Sequence, residues 1–475
     1  MSSNGIADIE AEYIDEPLLT FGNGGMHVDP KEGIARYGPW SWQPARRHPS
    51  SIRVGFIGSA ETMQKAEDFY RGAAEGIAGE GPHMTFPGFR ADRGFFTDLT
   101  FADQHRQVLS QTEVGTLTKL EGDRARFEGL LELLDTKLAL LAESDQPPEY
   151  VVLALPDRLV KAARVVDYHD PKVGLIHRDL RRAFKARAMR YRIPTQVLLS
   201  DTPRLKQSPG QDHPAEVAWD LFTGAYFKAG GSPWAPTGLP SGTCFIGVSF
   251  YRALGSESKV IQTSLVQAFD EHGEGLVLRG HEFEWDPDKE GTRSPHLTAA
   301  MSGALIEMAL DRYELELNTR PRRAVVQKTS RFWPAEAEGF REALHKRVDR
   351  FDLVSLSPTS DVRLFPESKY PPLRGTCFRL GVLDFLYTTG FQVELADFPY
   401  GRHVPSPLFL ADHHGHDTTR ESLLREIMVL TKLNWNSARM GGLWPITLRF
   451  SRRVGDILKE LPPDVEPLPQ SKFYM

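Results

Sequence analysis

Cysteine is nearly absent: the 475 residues hold two, Cys244 and Cys377, each in an apolar run (TCFIGV and GTCFRL). Two isolated thiols build neither a disulfide framework nor a cysteine zinc site. Also missing is any run of about 18 apolar residues, so no bilayer-spanning helix is expected. The first sixteen residues carry five acids (Asp8, Glu10, Glu12, Asp15, Glu16) and no Lys or Arg. Export and transit peptides begin basic, so neither is expected here and the chain reads as soluble and cytoplasmic. No Walker sequence occurs. Neither GSAE after Ile57 nor FGNGG has the G-x-G-x-x-G spacing of a dinucleotide fold, which disfavours a dinucleotide-binding enzyme. After Gly247-Val248-Ser249 the sharp turn of a serine hydrolase needs glycine where this chain has Tyr251. The net charge of −6 argues against a polycation that coats nucleic acid with its whole surface, and leaves room for a local basic site.

What is present is ordinary globular usage, 40% apolar, 25% charged and 10% aromatic, over a length of two to three domains. Glu16 to Ser50 is dense in Gly, Pro and aromatics and reads as an extended arm with tight turns rather than a helix. From Ser51 strands and helices alternate. Ser51–Ser59 is a strand, Ala60–Ala78 a helix and Tyr150–Leu155 a strand. The 180–191 stretch is helical, Pro194–Asp201 is a strand and Ala215–Lys228 a helix. That order predicts a parallel, doubly wound α/β sheet. A Gly/Pro/Ser linker from Gly230 to Gly242 follows. A second α/β unit takes strands at Thr243–Arg252, Gly275–Arg279 and Arg323–Lys328, and helices at Leu297–Leu315, Pro334–Val348 and Ser422–Leu433. The expected division is an arm (1–50), a first domain (51–235) and a second (236–475).

The densest charge lies in Arg178–Arg192, with seven basic residues and one acid in fifteen. Its net +6 leaves −12 for the rest of the chain. On a helix Arg181 and Lys185 share a face, as a solvated basic surface or as a ligand site. Lys228 closes a helix before Ala229-Gly230-Gly231, where a lysine is at home beside the helix C-terminus. Gln196 follows on the strand after the basic helix. ADHHGHD (Asp412, His413, His414, His416, Asp417) packs metal-ligand residue types together in what reads as a polar loop before the Thr418-Thr419 cap.

Taken together these pieces resemble the short prokaryotic Argonautes, which join a MID to a PIWI domain without amino-terminal and PAZ domains. EPLLTFGNGGMHVDPKEGIARYGP is similar to the family's entry segment, and YRIPTQVLLSD and AYFKAGGSPWAP to MID. CFIGVSFYR, VVQKTSRFWPAEAEGF and LTKLNWNSARMGGLWPITLRFSRRVGDIL are similar to PIWI. The resemblance implies a Rossmann-like MID followed by an RNase H-like PIWI. It places Arg181, Lys185, Gln196 and Lys228 at the positions that hold a guide's 5′-phosphate. Gln196 and the carboxylate of Met475 fall where the family sets a Mg²⁺ ion beside the guide phosphates. Catalytic PIWI domains need several carboxylates for two metal ions. Here the corresponding positions are Ser249 and Thr329, with Glu282 or Glu284 near the glutamate-finger position and Arg452 at the fourth. The resemblance therefore implies a nuclease-dead protein in which a guide RNA pairs with single-stranded target DNA. Output would come from a partner with an APAZ domain and a sirtuin-like or TIR NADase or a DNase, in abortive infection, with the arm from Asp8 to Trp42 as a contact. The rival reading is a self-sufficient metal-dependent nuclease using Asp412, His414 and His416.

Overall fold

The computed structural model describes residues 9–475 apart from 45, 173, 207, 253, 255–259, 270–272, 293, 360, 368–370, 393–403, 416–417 and 463–464, with 260–269 described by backbone alone. The arm is drawn into the rest of the chain. Ala11–Tyr13 (β1) pairs with a strand at Thr376–Leu380, and Leu19–Thr20 is sandwiched between Met26–His27 and Ala235–Pro236. The arm also contains a helix, Pro30–Tyr37 (α1), where turns alone were expected. Asp29 caps it by accepting from the Lys31 and Glu32 amides at 2.7 and 3.1 Å. Pro30 presets the first turn, and Gly38 at φ 73° ends it. An Asp-Pro start outweighs one internal glycine. Ile14, Leu19, Phe21, Ile34 and Trp40 are buried, while Ile9, Tyr13, Leu18 and Met26 stay exposed. The arm's inner face is thus covered by its own chain.

The first sheet is all parallel. Ser51–Gly58 (β2) pairs with Asp98–Thr100 (β3), Arg106–Val108 (β4) and Tyr150–Ala154 (β5), and β5 pairs with Thr195–Val197 (β6). The strand expected over Pro194–Asp201 is therefore three residues long. Helices Ala60–Ala74 (α2) and Pro214–Lys228 (α5) contribute to one core cluster, and Asp123–Ala142 (α3) to another. The basic helix Leu180–Ala188 (α4) seats Leu180, Ala183 and Phe184 in the α3 cluster. Asp179 caps it, accepting from the Arg182 amide at 3.0 Å.

The second sheet is mixed. Thr243–Tyr251 (β7), Val260–Phe269 (β8) and Val277–Glu284 (β9) run antiparallel in succession, while Arg323–Lys328 (β10) and Arg350–Pro358 (β11) lie parallel to β7. Thr376–Leu380 (β12), Leu383–Leu386 (β13) and Leu408–His414 (β14) complete the order β1-β12-β13-β14-β11-β10-β7-β8-β9. Alternation along β7 sends Cys244, Ile246 and Val248 to the core under helices Ala299–Leu317 (α6) and Pro334–Arg347 (α7). Phe245 faces the opposite core. That core also takes Arg420–Leu430 (α8), Ile446–Leu458 (α9) and the α5 residues Trp219 and Phe222, so the two units share it. Among the described residues no helix is long and apolar enough to cross a membrane.

β7 and α9 meet at Gly247, where a Cβ would overlap the Thr447 carbonyl oxygen. Gly247→Ala is expected to cost about 1–3 kcal/mol by overpacking. Gly115→Ala, at a helical position open to solvent, is expected to stabilise by about 0.5–1 kcal/mol. Urea denaturation of the two variants checks both signs.

Candidate nucleic-acid phosphate site

The carboxylates around α4 sort its basic residues into two groups. Arg178 is paired with Glu460 and Glu128, Arg182 with Asp456, and Arg187 and Arg190 with Asp135. Arg181 and Lys185 have no Asp or Glu ion-pair partner among the described residues. Lys185 is 3% exposed, and its ammonium donates to the Thr195 carbonyl oxygen at 2.8 Å and to the Met475 main-chain oxygen. Lys228, 1% exposed, donates to Gln196 Oε1 at 2.7 Å, and Gln196 Nε2 donates to the Val197 carbonyl at 3.1 Å. β6, the end of α5 and Met475 thus converge on one face of α4. Arg181 stays exposed and adds its charge to both lysines.

Buried cations without an aspartate or glutamate partner are costly, and the ammonium groups respond by losing proton affinity. Burial, then Lys228, Arg181 and Arg453, hold Lys185 well below the ordinary lysine range. Burial and Arg181 bring Lys228 down to about 7. A phosphate would reverse this by supplying the missing negative charge. Because an anion raises the lowered lysine pKa values, binding takes up protons. Affinity for a 5′-phosphorylated strand is therefore expected to weaken as pH rises from about 7 to 9, while that for a 5′-hydroxyl strand changes little. Titrations at three pH values in one buffer system check the sign.

Two further cations belong to the cluster and were not singled out in the sequence, Arg449 and Arg453 on α9. Both are partly buried, and burial lowers both, Arg453 further through Arg449. Ile446, Leu448 and Phe450 alternate with polar residues as in a strand, which hides the helix. The signal that finds it is the i, i+4 spacing of the two arginines after Pro445.

At the sheet end, the β7–β10 register pairs Gly247 with Gln327. Ser249 lies two residues further along β7 and Thr329 directly after the end of β10, which places the two positions expected to hold metal carboxylates in a PIWI nuclease at the same end of this strand pair. Neither bears an acid. Glu282 is exposed and paired with Arg279 at 2.9 Å, Glu284 is exposed, and Arg452 is exposed on α9. The ADHHGHD segment is not the expected loop up to His414, because Leu408–His414 pairs with β11. Strand alternation then splits its histidines. His413 bonds Asp352 Oδ1 at 2.9 Å and His414 bonds Asp412 Oδ2 at 3.0 Å. His416 and Asp417 lie outside the described residues, and among those described no group of three His, Cys, Asp or Glu is placed to hold a metal ion.

The phosphate cluster offers a divalent ion two oxygens, Gln196 Oε1 and Met475 O, each already accepting from a lysine ammonium. Such a donor set fits Mg²⁺ only when phosphate oxygens complete its shell and offset the cations.

No family model matches the chain, and no curated protein sequence matches it. Solved structures do. A Clostridium butyricum Argonaute bound to a guide DNA and a 19-mer target DNA is 15% identical over 96% of this chain and 54% of its own, with a TM-score of 0.65. Drosophila Piwi is 13% identical over 98% and 56%, with a TM-score of 0.61. An A. aeolicus Argonaute is 14% identical over 97% and 55%, with a TM-score of 0.57. The chain spans about half the length of these proteins. With its parallel first sheet, its β9-β8-β7-β10-β11 second sheet and these neighbours, the chain has an Argonaute-type α/β fold, a Rossmann-like MID unit followed by an RNase H-like PIWI unit.

Proposed function

We propose that the chain is a short prokaryotic Argonaute that anchors the 5′-phosphate of a guide RNA between Arg181, Lys185, Gln196 and Lys228 and presents the strand for pairing with single-stranded target DNA. The observation that carries this reading is the pair of buried lysines, Lys185 and Lys228, which have no Asp or Glu partner among the described residues, so that the excess positive charge they share with Arg181 calls for an anion. The cluster reads a terminal phosphate by charge and hydrogen bonding, while base pairing supplies sequence, the division of labour of other guided effectors. Mg²⁺, held by Gln196, Met475 and the guide's own phosphates, would neutralise phosphate charge at the site.

The absence of acids at Ser249 and Thr329 supports a PIWI unit without nuclease activity, since serine and threonine supply no anionic ligand for a metal pair. Output then belongs to a partner, an APAZ-containing protein with a sirtuin-like or TIR NADase or a DNase, switched on in the cytoplasm when target binds and ending in abortive infection. The exposed apolar arm residues Ile9, Tyr13, Leu18 and Met26 are open to such a partner.

The test is a labelled complementary DNA offered to guide-loaded chain with Mg²⁺ or Mn²⁺. Retention of intact DNA that requires a matching guide is the expected outcome. Cleavage by the chain alone, lost in His414→Ala, would establish the self-sufficient nuclease instead.

A further inference from the structure

A cleft of about 460 Å³ opens beside the α5 terminus, lined by Phe227 and Gly230. Phe227 lines it while the next residue, Lys228, bonds Gln196. Lys472 lines it while Met475, three residues on, accepts from Lys185. The cleft is therefore a separate space that shares two walls with the phosphate cluster. Its volume lies within the range of small-molecule sites, roughly 300–1,000 Å³, and is far larger than a water pocket needs.

Its lining joins aromatic surface to cations. Arg46 lies over the Trp40 ring with its guanidinium carbon 3.5 Å from the centroid, which holds that planar group flat. Arg47 beside it is exposed, and Lys472 approaches from the carboxyl-terminal turn. Among the described residues none of the three has an ion-pair partner. Of the carboxylates in the lining, Glu316 is paired with Arg312 at 2.5 Å, and Glu274 also has a polar partner. Two guanidiniums and an ammonium suit the several oxygens of a polyphosphate, because forked arginines bind phosphate bidentately. The flat Arg46–Trp40 stack and Phe227 offer surfaces for an aromatic ring.

We infer that this cleft binds a nucleoside di- or triphosphate, with Arg46, Arg47 and Lys472 on its phosphates and its base against Arg46 or Phe227. Burial and the neighbouring Arg47 hold the Lys472 ammonium below the ordinary lysine range, as an anion site without its anion would.

Calorimetric titration of ATP into the full chain tests this. One equivalent is expected to bind, at least tenfold more weakly in Arg47→Glu, an exposed position whose change leaves the fold intact, and equally well in Arg181→Ala/Lys185→Ala. Tripolyphosphate without a nucleoside is expected to bind at least tenfold more weakly than ATP. ATP binding lost in the Arg181/Lys185 variant and kept in Arg47→Glu would overturn the assignment, as would equal binding of tripolyphosphate. So would no ATP binding at millimolar concentration, or Arg47-dependent binding of a 5′-hydroxyl RNA in place of ATP, which would make the cleft a strand path.

Discussion

Replacing Lys185 and Lys228 together with alanine is expected to erase the chain's preference for a 5′-phosphorylated RNA over the same RNA with a 5′-hydroxyl. Each lysine contributes a charge-assisted hydrogen bond, about 1.5–3 kcal/mol. At about 1.4 kcal/mol per factor of ten, the pair corresponds to a rise in Kd of roughly 10²–10⁴. The same substitutions should leave the unliganded fold unharmed or more stable. Neither lysine has an Asp or Glu partner among the described residues, and the desolvation cost that alanine removes offsets the hydrogen bonds lost to Thr195, Met475 and Gln196. Loss of phosphate discrimination at an unchanged or raised Tm therefore separates a ligand site from a structural one. A variant that keeps its discrimination would remove both lysines from the phosphate site.

The second large effect is expected at Arg374, one of the most fully buried large side chains of the protein. Its guanidinium bonds Glu16 Oε2 at 2.8 Å, Thr431 Oγ1 at 2.7 Å and the Thr388 carbonyl, while Lys432 bonds Glu16 Oε1 at 2.9 Å. This network ties the arm to the second sheet and to the end of α8. Burial pushes Glu16 up, but Arg374 and Lys432 outweigh it and hold the carboxyl below its ordinary range. Arg374→Ala leaves a buried carboxylate with one partner fewer, at a cost of about 3–5 kcal/mol. By comparison, Arg36→Ala breaks only the surface pair with Glu32, worth about 0.3–0.5 kcal/mol. Hydrogen exchange at the Leu19 and Phe21 amides should accelerate strongly in the first variant and hardly in the second. Equal protection in both would mean that the arm is held by its apolar contacts alone.

Much of the site was readable because its residues are local to their elements. Arg181 and Lys185 are one helical turn apart, Gln196 lies in the next strand, and Lys228 ends the helix after it. What charge counting could not separate was which arginines of the basic helix are already neutralised. That depends on Asp135, Asp456 and Glu460, which are distant in sequence from their partners or belong to other helices. Arg449 and Arg453 were hidden because the start of α9 alternates like a strand. The arm misled through composition: its glycines and prolines suggested turns, and the Asp29-Pro30 start made a helix. The histidines of ADHHGHD looked like a ligand set because sequence proximity ignores strand alternation, which turns His413 toward Asp352 and His414 toward Asp412. Ser249 and Thr329 lie far apart in the chain, and only the parallel pairing of β7 with β10 brings them to the same end of the two strands.

The most direct test of the central claim is the affinity of the wild-type chain, with Mg²⁺, for one short RNA prepared with a 5′-phosphate and with a 5′-hydroxyl. The phosphorylated strand is expected to bind at least tenfold more tightly near pH 7, a margin that narrows as pH rises toward 9. Equal affinity for the two strands at every pH would contradict it, leaving Lys185 and Lys228 as buried structural cations of an Argonaute-type fold that does not anchor a guide by its phosphate.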